Sequence, residues 1–593
     1  MKRPIFITLV LLTNLVNAQS LAVKEEQRYL LTHLLVPAGP VPTALDPNGV
    51  YPYVSYSETS NRPVPKRYRF VIIENKNLAV TICPDLGGKV MSIVHKSSGK
   101  EALYVPEVIR YTRILPRFYF IAGGIEVSFP ISHSPSQNET VLYKIEKTSD
   151  RIYVSCGERE LRFGMQWTVE YSVGNNDDFL TQRVIFKNPG TQTYPWMSWS
   201  NAAVPTAPDT EYHFPAGQVL SHSSVVDTID WKKDGPRKES DIKEMTGYFW
   251  KTRDANIFGA FTPSLGTGLY HLADEAISPG MKLWSYGTGD AAWATLSTAA
   301  AKPYAEIQGG PIGDQSIKLE LQPNEKRSHV EFWMPTDKRL DIYALKTPGV
   351  TLRPESSIPF FEWARSPEVE VWMALEKAFK SIGSLPDPPG IEEMNWAPSG
   401  MEKLNEAFEF AIRKSTPEKS KLWTYYYGAW LAGRGEIDQA INTLSSCDVG
   451  VAKALLSRLL RSKKDISGAL TAIQSIREPW LQIHPQVVID HDKLLQRLGK
   501  ETIAQRERLL ARVDALEDEW IVERRVQLLI DKGEFRKAKE LLMSTTFQKV
   551  HQVYTRTHLW NQICGALNEP CLPVPVQLGE DRLATFGAYR EFD

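Results

Sequence analysis

Cysteine is scarce in this chain, and no two cysteines stand in a Cys-x-x-Cys pair. The five are Cys83, Cys156, Cys447, Cys564 and Cys571. With no such pair and no histidine-rich cluster, no metal site of the structural zinc type is expected. Only Cys564 and Cys571 lie close together, so a small disulfide loop and buried free thiols are both open there. An excess of charge of one sign is also missing: 69 Lys and Arg face 70 Asp and Glu, a net charge of −1. A polyanion would have to be held by a local patch, which counts against a nucleic-acid partner. After the amino terminus no apolar run approaches the roughly 18 residues of a membrane span, so no membrane partner is expected either.

The amino terminus has a different grammar. Met1-Lys2-Arg3 is followed by an apolar run from Pro4 to about Val16, then Val16-Asn17-Ala18 before Gln19. A basic start, a short apolar stretch and small residues at the end describe a secretory signal peptide cleaved after Ala18. The expectation is a periplasmic or secreted protein in a bacterium. No cysteine follows the cleavage point to take a lipid.

From Tyr68 to Met334 short β-branched and aromatic runs alternate with Gly, Pro, Asn and Asp. Tyr68–Ile73, Leu78–Ile82, Val90–Val94, Ile152–Ser155, Gln166–Tyr171, Thr181–Phe186 and Val330–Met334 read as strands. A large antiparallel β-sandwich accounts for them. After Pro354 the apolar period becomes helical, beginning with Val369–Ile382 and Met401–Lys414 and ending with Val550–Leu567. Trp423–Arg434 turns at Gly435, and Trp520–Lys532 turns at Gly533, each into a second helix. Ala432, Ala440 and Ala538 sit where paired helices must approach closely. This is tetratricopeptide-like patterning, with its period of about 34 residues. The expected layout is a signal peptide over 1–18, the β domain over 19–350, a linker with a short helix over 351–400, helix pairs over 401–567, and a tail over 568–593.

Four clusters in the β half carry groups that can do chemistry. They are Pro84–Val90, with Gly87-Gly88; Gly123-Gly124-Ile125-Glu126 leading to His133; Trp196–Asn201; and the stretch from His271 through Trp284 and Trp293 to Tyr304–Gly310. In this order, with Tyr51-Pro52-Tyr53 and Glu74-Asn75, they resemble the bacterial family called domain of unknown function 5107. That resemblance implies a galactose-mutarotase-like β-supersandwich followed by an α-solenoid of tetratricopeptide-like helix pairs. Glu306-Ile307-Gln308 is similar to the mutarotase Leu-Glu-x-Gln segment, which implies that Glu306 is a catalytic base. The segment that carries the mutarotase acid histidine aligns with Trp196–Asn201, where no histidine occurs. His133 or Glu126 is the replacement on hand. Glu126 follows two glycines that let a ligand approach the backbone.

The expected catalytic residues are therefore Glu306, Glu126 and His133. Trp199, Trp284 and Trp293 are stacking candidates that could equally pack a core, and Asn201, His271 and Gln308 complete the expected substrate-binding set. Arg113 and Arg117 precede the glycine pair and read as a solvated loop. A Glu126/Glu306 pair suffices for glycoside hydrolysis, and this is the leading expectation for a secreted carbohydrate-active protein. Aldose 1-epimerisation is the first alternative, with Glu306 as base and His133 or His271 as acid, since proton transfer at two oxygens needs two placed groups. A non-catalytic sugar binder or scaffold is the second, with the helices taking a protein partner or a second copy. No cofactor is expected. Calcium serves some relatives of the superfamily, but no acidic ligand loop is readable here.

Overall fold

The computed structural model describes residues 21–42, 52–54, 56–60, 62–113, 119–131, 133, 139–223, 225–288, 297–298, 302–314, 317–363, 367–516, 518–547, 549–550 and 555–578. The signal-peptide reading, Tyr51, Arg117, Trp293 and the end of the tail lie outside these residues.

The strand-like segments form two sheets packed face to face, antiparallel but for one short parallel pairing, Leu31–Thr32 with Val108–Ile109. The larger has 13 described strands. Its centre runs Thr246–Trp250, Gly280–Ser285, Tyr304–Gly310, Trp199–Pro205, Ile125–Ser128, Lys89–His95, Leu78–Cys83, Val64–Glu74. The second has eight described strands, with Arg151–Arg159, Gln166–Gly174, Leu180–Lys187 and Lys326–Thr336 at its heart. Alternation explains the sandwich. Ala305 and Ile307 face the second sheet and join the main core with Trp167, Val169 and Trp333. Tyr304 points the other way, into a separate cluster with Tyr104, Phe120 and Tyr286.

Every strand expected from sequence is present and most are longer. The strand Ala22–Thr32, an open edge except where Val108–Ile109 pairs with Leu31 and Thr32, was not expected. It pairs along its whole length with Val64–Glu74 but carries Lys24, Glu25, Glu26 and Arg28, the polar composition that protects an edge.

The interior between the sheets is not wholly apolar. Glu331 is fully buried and accepts hydrogen bonds from the Ser200 hydroxyl at 2.5 Å, Ser278 at 2.8 Å and the Gln182 amide at 2.9 Å. The His271 ring lies 3.4 Å away, stacked on Phe258. Burial alone would raise the Glu331 carboxyl, but His271, His329 and the Ser200 hydroxyl bring it down to about 2.

From Pro367 onward the chain is helical, with pairs such as Pro417–Gly433 with Ile437–Ser445 and Glu519–Asp531 with Phe535–Ser544. The expected turns at Gly435 and Gly533 adopt φ of 79° and 78°. Two helices of this half had no counterpart in the sequence reading, the four-residue Pro479–Gln482 and the longer Pro485–Leu498, which His484 caps and a proline opens. All five cysteines are free thiols, including Cys564 and Cys571. No helix among the described residues is long and apolar enough to cross a membrane.

The two domains meet along Glu160–Met165 and Asn188–Tyr194 of the sandwich. The Leu161 carbonyl accepts from Gly400 N at 2.8 Å, the Ser399 hydroxyl donates to Arg162 O at 2.8 Å, and Glu402 takes the Tyr194 hydroxyl at 3.0 Å.

Glu331→Gln removes a buried acceptor shared by three donors, a change expected to cost about 3 kcal/mol or more. The wild-type carboxylate has its folded value near 2 against roughly 4.3 when unfolded. Its contribution is complete above the unfolded value and fades as pH falls from there toward 2. Calorimetry should therefore show a lower Tm for the variant at pH 7 and a gap that narrows on acidification.

Candidate functional site

The outer face of the larger sheet, turned away from the second sheet, collects most of the expected residues. Glu126 opposes Asn201, Asn201 opposes Gln308, and Gln308 opposes Lys282 across successive strands. The adjoining row is Ala203, Glu306 and Trp284. Directly opposed residues share a face, so both carboxylates, the amides and one indole stand together.

The glycine pair makes room for this. Gly123 and Gly124 have φ of 91° and 69°, and a Cβ on Gly124 would lie 2.3 Å from the Val90 carbonyl oxygen. Only glycine allows the chain to turn there and enter the strand that presents Glu126.

Glu126 is 3% exposed. Its Oε1 lies 2.9 Å from His133 Nδ1 and accepts from the Ser128 hydroxyl at 3.1 Å. Ser128 in turn accepts from the His133 backbone N–H at 3.1 Å. His133 is thus held by both its ring and its backbone, at a φ of 49° that non-glycine residues rarely adopt. Lys89 Nζ is 3.9 Å from Glu126 Oε2 and donates to the Ile121 carbonyl at 2.5 Å. Burial works to raise the Glu126 carboxyl, but His133, Lys89 and the Ser128 hydroxyl carry it below the usual range.

Glu306 is tuned the opposite way. It is half-buried and accepts from the Gln308 amide at 2.7 Å. Burial pushes its carboxyl up, and the charge of Glu126 adds to this, outweighing the opposing pull of the His133 ring and of Lys282 and Lys89. Lys282 sits with its ammonium 4.8 Å above the Phe249 ring, and burial pulls it down to about 8 against the pull of Glu306 and Asp314. One face therefore holds a carboxyl poised toward protonation and an imidazole oriented by an ionised carboxylate, a pairing suited to moving protons on a bound molecule.

Two of the expected substrate contacts are not open to a ligand. Trp199 is fully buried: its ring lies flat over Gly280 and Gly310, where a Cβ would come within 2.3 and 2.7 Å, and its Nε1 donates to Gln308 Oε1 at 2.9 Å. It positions Gln308 rather than stacking on a ligand. His271 is not on the face at all; it belongs to the Glu331 cluster between the sheets, because strand parity turns it inward beside Leu269. Trp284 is partly exposed and leans on Tyr286 and Tyr304 at 4.6 and 5.9 Å. Asn201 is 5% exposed, and its Oδ1 has no hydrogen-bond partner among the described residues. Sequence reasoning missed Lys89, Lys282 and Ser128. Parity was the available signal: Lys282 is two residues from Trp284, and Ser128 two from Glu126.

A model of the domain of unknown function 5107 matches residues 45–336, and a second model, of a C-terminal domain, matches 372–563. The crystal structure of a TPR-domain-containing protein from Parabacteroides distasonis is 60% identical, covering 97% of this chain and 100% of that one, with a TM-score of 0.89. The chain belongs to this family. Other similar structures include a putative mutarotase from Salmonella typhimurium at 8% identity and TM-score 0.36, covering 46% of this chain and 91% of that one. A galactose mutarotase-like protein from Clostridium acetobutylicum is 15% identical with TM-score 0.35, covering 45% and 95% of the two chains.

The opposed tuning gives a signed test. Glu126→Gln removes a negative neighbour and should lower the titration midpoint of Glu306; Lys282→Met removes a cation and should raise it. Carbon-13 spectra of glutamate-labelled protein against pH read both shifts, and a common direction for the two variants would contradict the arrangement.

Proposed function

We propose that the protein catalyses proton transfer at the anomeric centre of a sugar, as an aldose 1-epimerase does, with Glu306 as base and His133 as acid. The carrying observation is Glu306, largely buried with its carboxyl raised, on the same face as an imidazole held by buried Glu126. Glu306 takes the proton of the anomeric hydroxyl while His133 protonates the ring oxygen, and the bond from that oxygen to the anomeric carbon breaks. The open aldehyde turns over and recloses as the protons flow back, giving the other anomer. Asn201 Oδ1 is the acceptor available to a sugar hydroxyl, and Trp284 the available ring. The mutarotase-like segment Glu306-Ile307-Gln308 supports the same assignment.

One observation favours glycoside hydrolysis as a second reading. Two carboxyls pushed in opposite directions are the mark of an acid and its partner, with Glu306 as acid and Glu126 as the ionised member. Against it, Glu126 Oε1 already serves His133 and Ser128. Export through the amino-terminal 18 residues is part of the proposal; the mature chain should begin at Gln19, which amino-terminal sequencing of protein from the native host reads directly.

Anomer exchange of free aldoses, followed by polarimetry, should be accelerated by the wild type. Glu306→Gln and His133→Ala should each lose a factor of about 10² to 10⁴. Cleavage of aryl glycosides abolished by both Glu126→Gln and Glu306→Gln, without anomer exchange by the wild type, would replace epimerisation with hydrolysis.

A further inference from the structure

Residues 38–42, Ala-Gly-Pro-Val-Pro, leave the sandwich after the strand Leu35–Pro37 and enter the helical domain. Val41 is fully buried within the helical core cluster. The contacts it makes there are those of a bound peptide. Flanked by two prolines, Val41 has the only backbone N–H between residues 40 and 42. Gln486 Oε1 accepts that N–H at 2.9 Å, and Gln486 Nε2 donates to the Val41 carbonyl at 2.8 Å. One amide side chain so reads both backbone groups of one residue, as a neighbouring strand would.

Arg458 Nη1 donates to the carbonyls of Val41 at 3.2 Å and Pro42 at 3.0 Å, and Asp490 holds its Nε at 2.7 Å. Asn395 donates to the Gly39 carbonyl at 3.0 Å. Gly39 has a φ of 118°, and a Cβ on it would come within 2.7 Å of both Gln486 and His484. Gln486, Arg458 and Asp490 are 7%, 3% and 3% exposed. A buried guanidinium, carboxylate and amide need partners, and here the first and third bond main-chain groups of a segment more than 400 positions away, the first beside its pairing with Asp490.

We propose that the helical domain carries a peptide-recognition site for an extended glycine-proline-valine-proline segment, and that residues 38–42 of the same chain occupy it as a tethered ligand. Proline on both sides of the valine lowers the entropy lost on docking an extended peptide. The groove is therefore closed to other chains until the segment leaves it. This proposal is independent of any chemistry on the sheet face.

The test uses the full chain and a fluorescein-labelled peptide of residues 36–44. Val41→Lys, which sets an ammonium beside Arg458, should free the groove, so that the peptide binds this variant roughly a hundredfold more tightly than the wild type, whose open fraction is small. Adding Arg458→Met to Val41→Lys should abolish binding, as should a lysine at the valine position of the peptide. Val41→Ala, a milder change, should give intermediate affinity and stands in should Val41→Lys fail to fold by circular dichroism. Equal binding to wild type and to a folded release variant, or binding to neither, would overturn the proposal.

Discussion

The hydrogen bond from Ser200 to Glu331 fixes which side chains the larger sheet turns away from the second sheet. Strand side chains alternate, so a register slip of one residue would exchange the two faces of the whole strand. Ser200 points into the sandwich, where its hydroxyl meets the Glu331 carboxylate of the opposite sheet at 2.5 Å. Asn201 must then point outward, between Glu126 and Gln308. A charge-assisted bond of this kind contributes about 1.5–3 kcal/mol, and a slip would lose it while burying Asn201 in its place. An apolar contact at Ser200 would tolerate sliding; a buried carboxylate with three donors and a histidine does not. The interior polar cluster is thus the reason the outer rows of carboxylates, amides and lysines stand opposite one another.

Much of this was legible in sequence, and what was not follows a pattern. Strands rich in Val, Ile and aromatics reveal themselves because both faces are buried. Ala22–Thr32 does not, because its charged residues belong to an edge. Glu126, His133 and Glu306 could be found from the glycine pair, the lone histidine after it and the Glu-x-Gln segment. His271 and Trp199 could not be placed, because an aromatic or imidazole ring beside a strand fits either face. Only the pairing decides: His271 opposes Trp333 and faces inward with it, whereas Trp199 lies over two glycines that leave space for its ring. Pro485–Leu498 escaped the helical reading because Asp490 and Asp492 occupy its buried stripe, held there by Arg458, Arg506 and Arg524.

The helical domain is joined to the sandwich by more than the chain between them. After residues 38–42 dock in it, the chain returns with Tyr53, whose ring stands 6.5 Å from that of Trp396 and whose hydroxyl accepts from the Leu161 N–H at 3.0 Å. Ile131 and Leu161 pack on Tyr53, and Ile131 is two residues before His133. The strand Tyr56–Ser60 then pairs on one side with Leu35–Pro37 and on the other with Lys549–Val550. Loops are the parts of a fold with the least packing of their own. The His133 loop receives support here from residues of the helical half, through Tyr53.

The two carboxyls of the site differ because their surroundings do. Both are removed from water, which favours the neutral form of each. Glu126 escapes that outcome because cations and donors converge on it: His133 and Ser128 on one oxygen, and Lys89 facing the other. Glu306 has one direct amide donor and faces its cations at longer range. The negative charge on Glu126 then acts on Glu306 as a further reason to keep its proton. Ionising one member stabilises the neutral form of the other, so the asymmetry reinforces itself. Burial and the Glu126 charge accordingly raise the Glu306 carboxyl, while Glu126, held low by His133, Lys89 and Ser128, is the carboxylate that holds His133, and this difference requires no residue beyond those around the sheet face.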